Sequence, residues 1–208
     1  PGTGDRVTTA QISNDLNLAD NHLVIPKIQV KTPIIWNSSS EEKIMLANLQ
    51  QGVAHYGFTS LPNAESGNVF LTGHSSYYWW DPGKYKTVFT LLDRLVPGDQ
   101  ALIQFQNQIY VYELQDERVV SPSDVSVTDP TSKPILSLMT CVPVGTSLNR
   151  LVSRFDLARV YAADGTVPPD VDITEPVVSP TTPEPAAPLP DQTVPTNRDI
   201  IRLLPGLR

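Results

Sequence analysis

The sequence predicts a mainly β fold of about eight short strands, closed into a barrel or stacked as a sandwich, with one or two short helices. Three observations carry that expectation. Gln100 to Phe105 and Gln108 to Leu114 alternate polar and apolar residues on either side of Gln106-Asn107, the period-two pattern of a β-hairpin. Short β-branched and apolar runs recur along the chain, bounded by Gly, Pro, Asn or Ser. The 208 residues suffice for one domain with a full core, or one domain plus a tail.

Taken in order, residues 1–20 read as a polar leader. His22 to Val30 is apolar and β-branched, and Pro26 within it marks an edge or a bulge. Pro33 to Trp36 follows closely enough to form an antiparallel partner. Ser38, Ser39 and Ser40 then precede Glu41 and Glu42, and Ile44, Met45, Leu46 and Leu49 have helical spacing, so a capped helix is expected to stop at Gly52. Val53 to Ser66, rich in Gly, Pro and Ser, reads as a loop carrying His55. Asn68 to Thr72 is a strand ending at Gly73-His74-Ser75-Ser76. The aromatic cluster Tyr77, Tyr78, Trp79 and Trp80 that follows could pack the rim or line a groove.

Lys86 to Leu95 has Val88, Phe89, Leu91, Leu92 and Leu95 at helical spacing, which predicts a short helix before the Pro97-Gly98-Asp99 turn. After the hairpin, the 19 residues from Gln115 to Lys133 turn polar, a loop long enough to suggest function. Pro134 to Thr140 and Arg150 to Tyr161 complete a mostly antiparallel sheet.

A net charge of −7 argues against nucleic acid, whose phosphates call for a basic face. No apolar run approaches the ~18 residues of a membrane span. The chain opens on Pro1 rather than methionine, so a processed start is expected, with a signal peptide or anchor lost from it. Ten of the 20 prolines fall from Val167 onward, so the folded part is expected to end near Ala163, with 164–208 an extended Pro-rich tail.

Cys141 is the only cysteine, so it makes no internal disulfide. Its bland reading is a buried small hydrophobe. Its position, at the end of an apolar strand and before a loop with Pro143 and Gly145, instead suits a nucleophile facing a cleft. His74 also sits at a strand end, and two reactive side chains at strand ends can meet at one rim. Arg150 lies nine residues beyond Cys141 and can return beside it, and Arg154 shares its face on a regular strand. His22 and His55 read as ordinary surface or loop histidines.

Ser137-Leu138-Met139-Thr140-Cys141 resembles the Thr-Leu-x-Thr-Cys motif of sortases, the cysteine transpeptidases of bacterial cell surfaces, with Ser137 in place of the first threonine. Thr72-Gly73-His74 is similar to the catalytic-histidine segment of that family and Arg150-Leu151-Val152 to its catalytic-arginine strand, in the family's order. The resemblance covers roughly His22 to Tyr161 and includes Gly52-Val53-Ala54-His55-Tyr56. It implies a closed or partly closed barrel over 21–163. It further implies Cys141 as nucleophile, His74 as general acid and then base, and Arg150 as oxyanion or substrate donor, with Arg154 its competitor. Thr140, Ser75 and Val142 are expected to border the substrate.

Each residue type suits its role. A thiolate attacks an amide carbonyl well and forms a thioacyl intermediate. Histidine can hold and deliver a proton near neutral pH, and a guanidinium is a permanently charged donor to an oxyanion. The implied partners are a sorting-signal peptide of the Leu-Pro-x-Thr-Gly type and an amine acceptor, from a cell-wall precursor or a protein lysine. The implied setting is extracytoplasmic, anchored to the membrane by a segment outside this chain. Because residues 1–20 contain no Asp-Pro-aromatic lid element, wall anchoring is preferred to pilus polymerisation. The alternatives are a hydrolase-only homologue or a non-catalytic surface domain on a Pro-rich stalk.

No cofactor is expected. The alternative is calcium, held as in some sortases by the loop acids Asp116, Glu117, Asp124 and Asp129, but these show no compact ligand spacing. In the tail, Leu189-Pro190-Asp191-Gln192-Thr193 resembles a sorting signal with one residue too many. It is either chance in a linker or a pseudosubstrate able to lie across Cys141.

Overall fold

The computed structural model describes residues 18–76 and 84–163. Eight strands close a barrel: β1 His22–Ile25, β2 Val30–Ser38, β3 Val53–Tyr56, β4 Gly67–Thr72, β5 Gln100–Phe105, β6 Gln108–Val120, β7 Pro134–Val142 and β8 Asn149–Ala162. Around the barrel the order is β1-β2-β3-β4-β7-β8-β6-β5, so the sandwich alternative is excluded. One helix, α1 Glu42–Leu49, crosses from β2 to β3. The sheet is mostly antiparallel, as expected, with parallel pairs at β2–β3 and β4–β7. Among the described residues no helix is long and apolar enough to cross a membrane.

Local chemistry explains the elements. The hairpin forms around Gln106 and Asn107, both at positive φ (50° and 61°), the two-residue turn whose twist matches the strands it joins. The run expected as one strand from His22 to Val30 is broken, because Pro26 opens a single 3-10 turn, Pro26–Ile28, closed by Gln29 in the left-handed region. The serines before α1 act unlike a simple cap. Ser39 Oγ accepts from Glu41 N (3.1 Å), and Ser38 Oγ accepts from Asn48 Nδ2 (3.0 Å) in the last turn. Gly52 follows the helix where the chain crosses β2, and a Cβ there would fall 2.3 Å from Pro33 O.

Alternation along the strands sorts the apolar residues into an interior and an exterior set. Leu23, Ile25, Ile34, Val53, Val69, Leu71, Ile103, Tyr112, Leu136, Leu138, Leu151 and Phe155 fill the barrel, with every strand contributing to this cluster. On the outer face of β3, β4, β7 and β8, Ala54, Tyr56, Phe70, Met139, Cys141 and Val152 are covered by Met45 and Leu49 of α1. Leu18 packs outside β1 and β5 with Val24 and Leu102.

Three expectations are corrected. Val53 to Tyr56 is a fully buried strand rather than part of a loop. The polar stretch after Leu114 continues β6 to Val120, paired along its length with β8, which shortens the expected long loop to residues 121–133. Residues 84–91 form turns, and Leu92–Arg94 a 3-10 turn, where a helix was expected. Phe89 N donates to His74 O (2.9 Å) instead of to a carbonyl one helical turn back, which draws the segment onto β4. Phe89 and Leu92 thereby join the buried cluster that fills the barrel.

His55, expected at the surface, is 0% exposed in β3. Its Nδ1 accepts from Asn37 N (3.3 Å), so the proton sits on Nε2, which donates to Ser60 O (3.0 Å) and lies 3.0 Å from Thr59 Oγ1. Burial holds its pKa below the usual 6.5, with the bond to Ser60 opposing. The unfolded chain therefore binds a proton at a higher pH than the folded one. Stability should be level above pH 6.5 and fall as pH drops below it, by at most about 1.4 kcal/mol per pH unit. Urea midpoints measured against pH check this: His55→Gln should flatten that slope, and an unaltered slope would contradict it.

Candidate active site

β4 and β7 run parallel in unbroken register from Gly67↔Pro134 to Thr72↔Met139. Parallel neighbours end at the same rim, so the residues just past each strand's end are neighbours too. The same offset carried two residues further sets His74 beside Cys141. On the other side of β7, Cys141 is the antiparallel partner of Arg150 in β8. Extended past the last ladder pair, Thr72↔Met139, the two registers would put His74, Cys141 and Arg150 in one row across three adjacent strands. Cys141 and Arg150 share the outer face under α1, and all three residues are nearly inaccessible, at 3%, 3% and 1% exposure for His74, Cys141 and Arg150.

Beyond Thr72 the ladder stops, and individual bonds keep the histidine segment in place. Gly73 N donates to Met139 O (3.1 Å), Thr140 Oγ1 donates to Gly73 O (2.9 Å) and Phe89 N donates to His74 O (2.9 Å). Thr90 Oγ1 donates to Ser75 O. The residue before the histidine must be glycine, because a Cβ on Gly73 would lie 2.7 Å from Phe89 Cδ2 and 2.9 Å from Val88 Cγ1.

Burial pushes the Cys141 thiol above its ordinary value and the Arg150 charge pulls it back. Arg150 Nη1 donates to Ser147 O (3.0 Å) and Asn149 O (3.1 Å), which fixes the guanidinium and the loop between β7 and β8. Its Nε is buried without a hydrogen bond among the described residues. Tyr56, at the end of β3, completes the surroundings. Its hydroxyl is also buried without a hydrogen bond among the described residues, and its ring meets Phe58 and Phe70 edge-on. Burial raises the Tyr56 pKa strongly, with the Arg150 charge lowering it and Cys141 raising it, so the phenol keeps its proton near both groups.

The register separates the two arginines. Arg154 lies opposite Ser137, four residues along the strand from the Cys141 pair and about 13 Å away. Thr140 and Val142 alternate to the face of β7 opposite Cys141: the Thr140 hydroxyl is spent on Gly73 O, and Val142 packs against the barrel core. Ser75 is buried beside His74. Tyr56 falls within the family-like Gly52–Tyr56 stretch, and no sequence pattern marks it as lying near the thiol.

His22, at the start of β1, lies 2.9 Å through Nδ1 from Asp20 O. Asp116 and Glu117 stand on β6, and among the described residues no group of three or more His, Cys, Asp or Glu gathers to hold a metal. Trp79, Trp80 and the tail lie outside the described residues.

Iodoacetamide alkylation of Cys141 followed against pH checks the electrostatics. The rate should rise through a midpoint above the ordinary thiol value of 9.0, and Arg150→Met should move that midpoint higher still. A wild-type midpoint below about 7 would contradict this account.

The profile of the Sortase domain matches residues 23–158. Sortase SrtE1 of Streptomyces coelicolor is 33% identical over 140 residues, which cover 62% of this chain but only 38% of that protein. Among solved structures, sortase C1 of Streptococcus agalactiae superposes with a TM-score of 0.56 at 29% identity, covering 66% of each chain. A lid mutant of sortase A from Corynebacterium diphtheriae gives 0.56 at 27% identity, covering 66% of this chain and 68% of that one. The barrel, the row across its rim and these matches together show that this chain belongs to the sortase family.

Proposed function

We propose that this chain is the catalytic barrel of a cysteine transpeptidase that cleaves a sorting signal of the Leu-Pro-x-Thr-Gly type and passes the acyl group to an amine. The observation that carries the reading is the register pairing of Cys141 with Arg150 at the rim where β4, parallel to β7, leads into His74. A buried structural cysteine needs neither a histidine nor an arginine beside it.

The chemistry follows from the neutral resting thiol that burial favours. As Sγ attacks the threonine carbonyl, the thiol proton passes to His74, and the carbonyl π electrons move onto oxygen. Arg150 donates to that oxyanion. Collapse of the tetrahedral adduct breaks the C–N bond, and His74 returns the proton to the departing glycine amine. The thioester is then attacked by a second amine. His74 takes the amine proton, and the sulfur leaves and is reprotonated. Nothing is oxidised or reduced. Tyr56, protonated and buried close by, offers a hydroxyl to a polar atom of the bound peptide.

In this reading residues 21–163 are the catalytic unit and 164–208 a Pro-rich extension of it. The enzyme works outside the cytoplasm at the cell surface, held to the membrane by a segment outside this chain. Its acceptor is a cell-wall amine or a lysine of another surface protein.

Incubation with a Leu-Pro-x-Thr-Gly peptide and excess triglycine, read by mass spectrometry, tests the proposal. The expected product is the amide adduct, lost by about 10³-fold or more in Cys141→Ala. Free acid alone would mark a hydrolase, and no product, or activity retained in Cys141→Ala, would overturn the reading.

A further inference from the structure

We propose that Ser76 is a positioning residue that fastens the histidine side of the site to the loop after the nucleophile, an inference that rests on the transpeptidase reading. Ser76 follows His74 by two residues, and its Oγ accepts from Gly145 N at 2.9 Å. Gly145 lies in the loop of residues 143–148, between β7 and β8. There φ is 86° and no atom lies within 4 Å of where a Cβ would sit, so packing does not hold the loop at this point.

The loop's other hydrogen bonds among the described residues stay local. Thr146 N and Oγ1 donate to Pro143 O, and Ser147 O accepts from Arg150 Nη1. Among the described residues, the Ser76 bond is therefore the hydrogen bond that joins this loop to the β4 side.

Together the bonds close a ring around the thiol. Thr140 Oγ1 ties Gly73 to the residue before Cys141. Cys141 is in register with Arg150, whose guanidinium holds Ser147 O. The loop then returns through Gly145 to Ser76 and so to His74. Opening the ring at Ser76 leaves the barrel intact but frees the loop relative to the histidine. That loop also presents Val144 and Leu148 at 50% and 67% exposure, apolar side chains left facing solvent in the segment that follows Cys141. A peptide entering between the histidine segment and the loop would meet walls whose spacing Ser76 sets.

The test compares wild type, Ser76→Ala and Ser76→Thr by three readouts: sorting-peptide kinetics, the iodoacetamide rate of Cys141, and Tm. Ser76→Ala should lower kcat by about tenfold, with KM changing less, and raise the alkylation rate at least about threefold. Tm should stay within about 2 °C, since one exposed hydrogen bond is lost. Ser76→Thr, which keeps the hydroxyl, should restore both rates. Kinetics and alkylation of Ser76→Ala within about twofold of wild type would overturn the role, as would an equal loss in Ser76→Thr. If wild type turns over no sorting peptide, the transpeptidase reading fails, and the alkylation comparison still decides whether Ser76 controls the loop.

Discussion

The parallel pairing of β4 with β7 is the constraint on which the rest of the site depends. A parallel pair cannot be made by a hairpin, so the chain builds β5, β6 and the intervening segments between the two strands. What that long excursion achieves is a shared rim, with the histidine and the cysteine leaving their strands at the same level. The antiparallel β7–β8 pair then needs only a short loop to bring Arg150 back opposite Cys141. Two kinds of pairing, one non-local and one local, thus assemble three side chains that are far apart or merely near in sequence.

The register alone does not finish the task, because the ladder ends two residues short of His74. Side-chain hydroxyls and the 84–91 turns take over, and Thr140, Thr90 and Phe89 hold the segment that backbone pairing no longer reaches. The site is also covered. Met45 and Leu49 of α1 close over the face carrying Cys141, which raises the thiol pKa while the Arg150 charge counters it. Burial that stabilises the fold thereby favours a neutral thiol at rest.

Much of this was legible in the sequence, for identifiable reasons. The hairpin, α1, β7 and β8 carry their own periodicity, and Cys141 and His74 announce themselves by strand-end positions and short motifs. β3 was missed because its four residues are buried on both faces and show no alternation. The far half of β6 was missed because Asp116, Glu117 and Arg118 look like loop residues, whereas ladder bonds to β8 keep them extended. The spacing in Lys86 to Leu95 suited a helix, but contacts with β4 and the barrel core overrode local preference. Arg150 was preferred to Arg154 on its family-like stretch alone, whereas its place opposite Cys141 is visible only in the β7–β8 register, and finding Tyr56 required knowing which strand flanks the outer face. Both are tertiary facts.

The most direct measurement of the central claim, that the β4–β7 register sets His74 against Cys141, is a disulfide trap. Cysteines replacing His74 and, separately, Ser75 are each oxidised mildly and analysed by peptide mapping. Neighbouring residues on one face can be bridged where small backbone movements bring their Cβ atoms within the roughly 3.5–4.5 Å a disulfide requires. The account predicts rapid, intramolecular crosslinking of Cys141 in His74→Cys and little in Ser75→Cys. Crosslinking in Ser75→Cys with none in His74→Cys would contradict it.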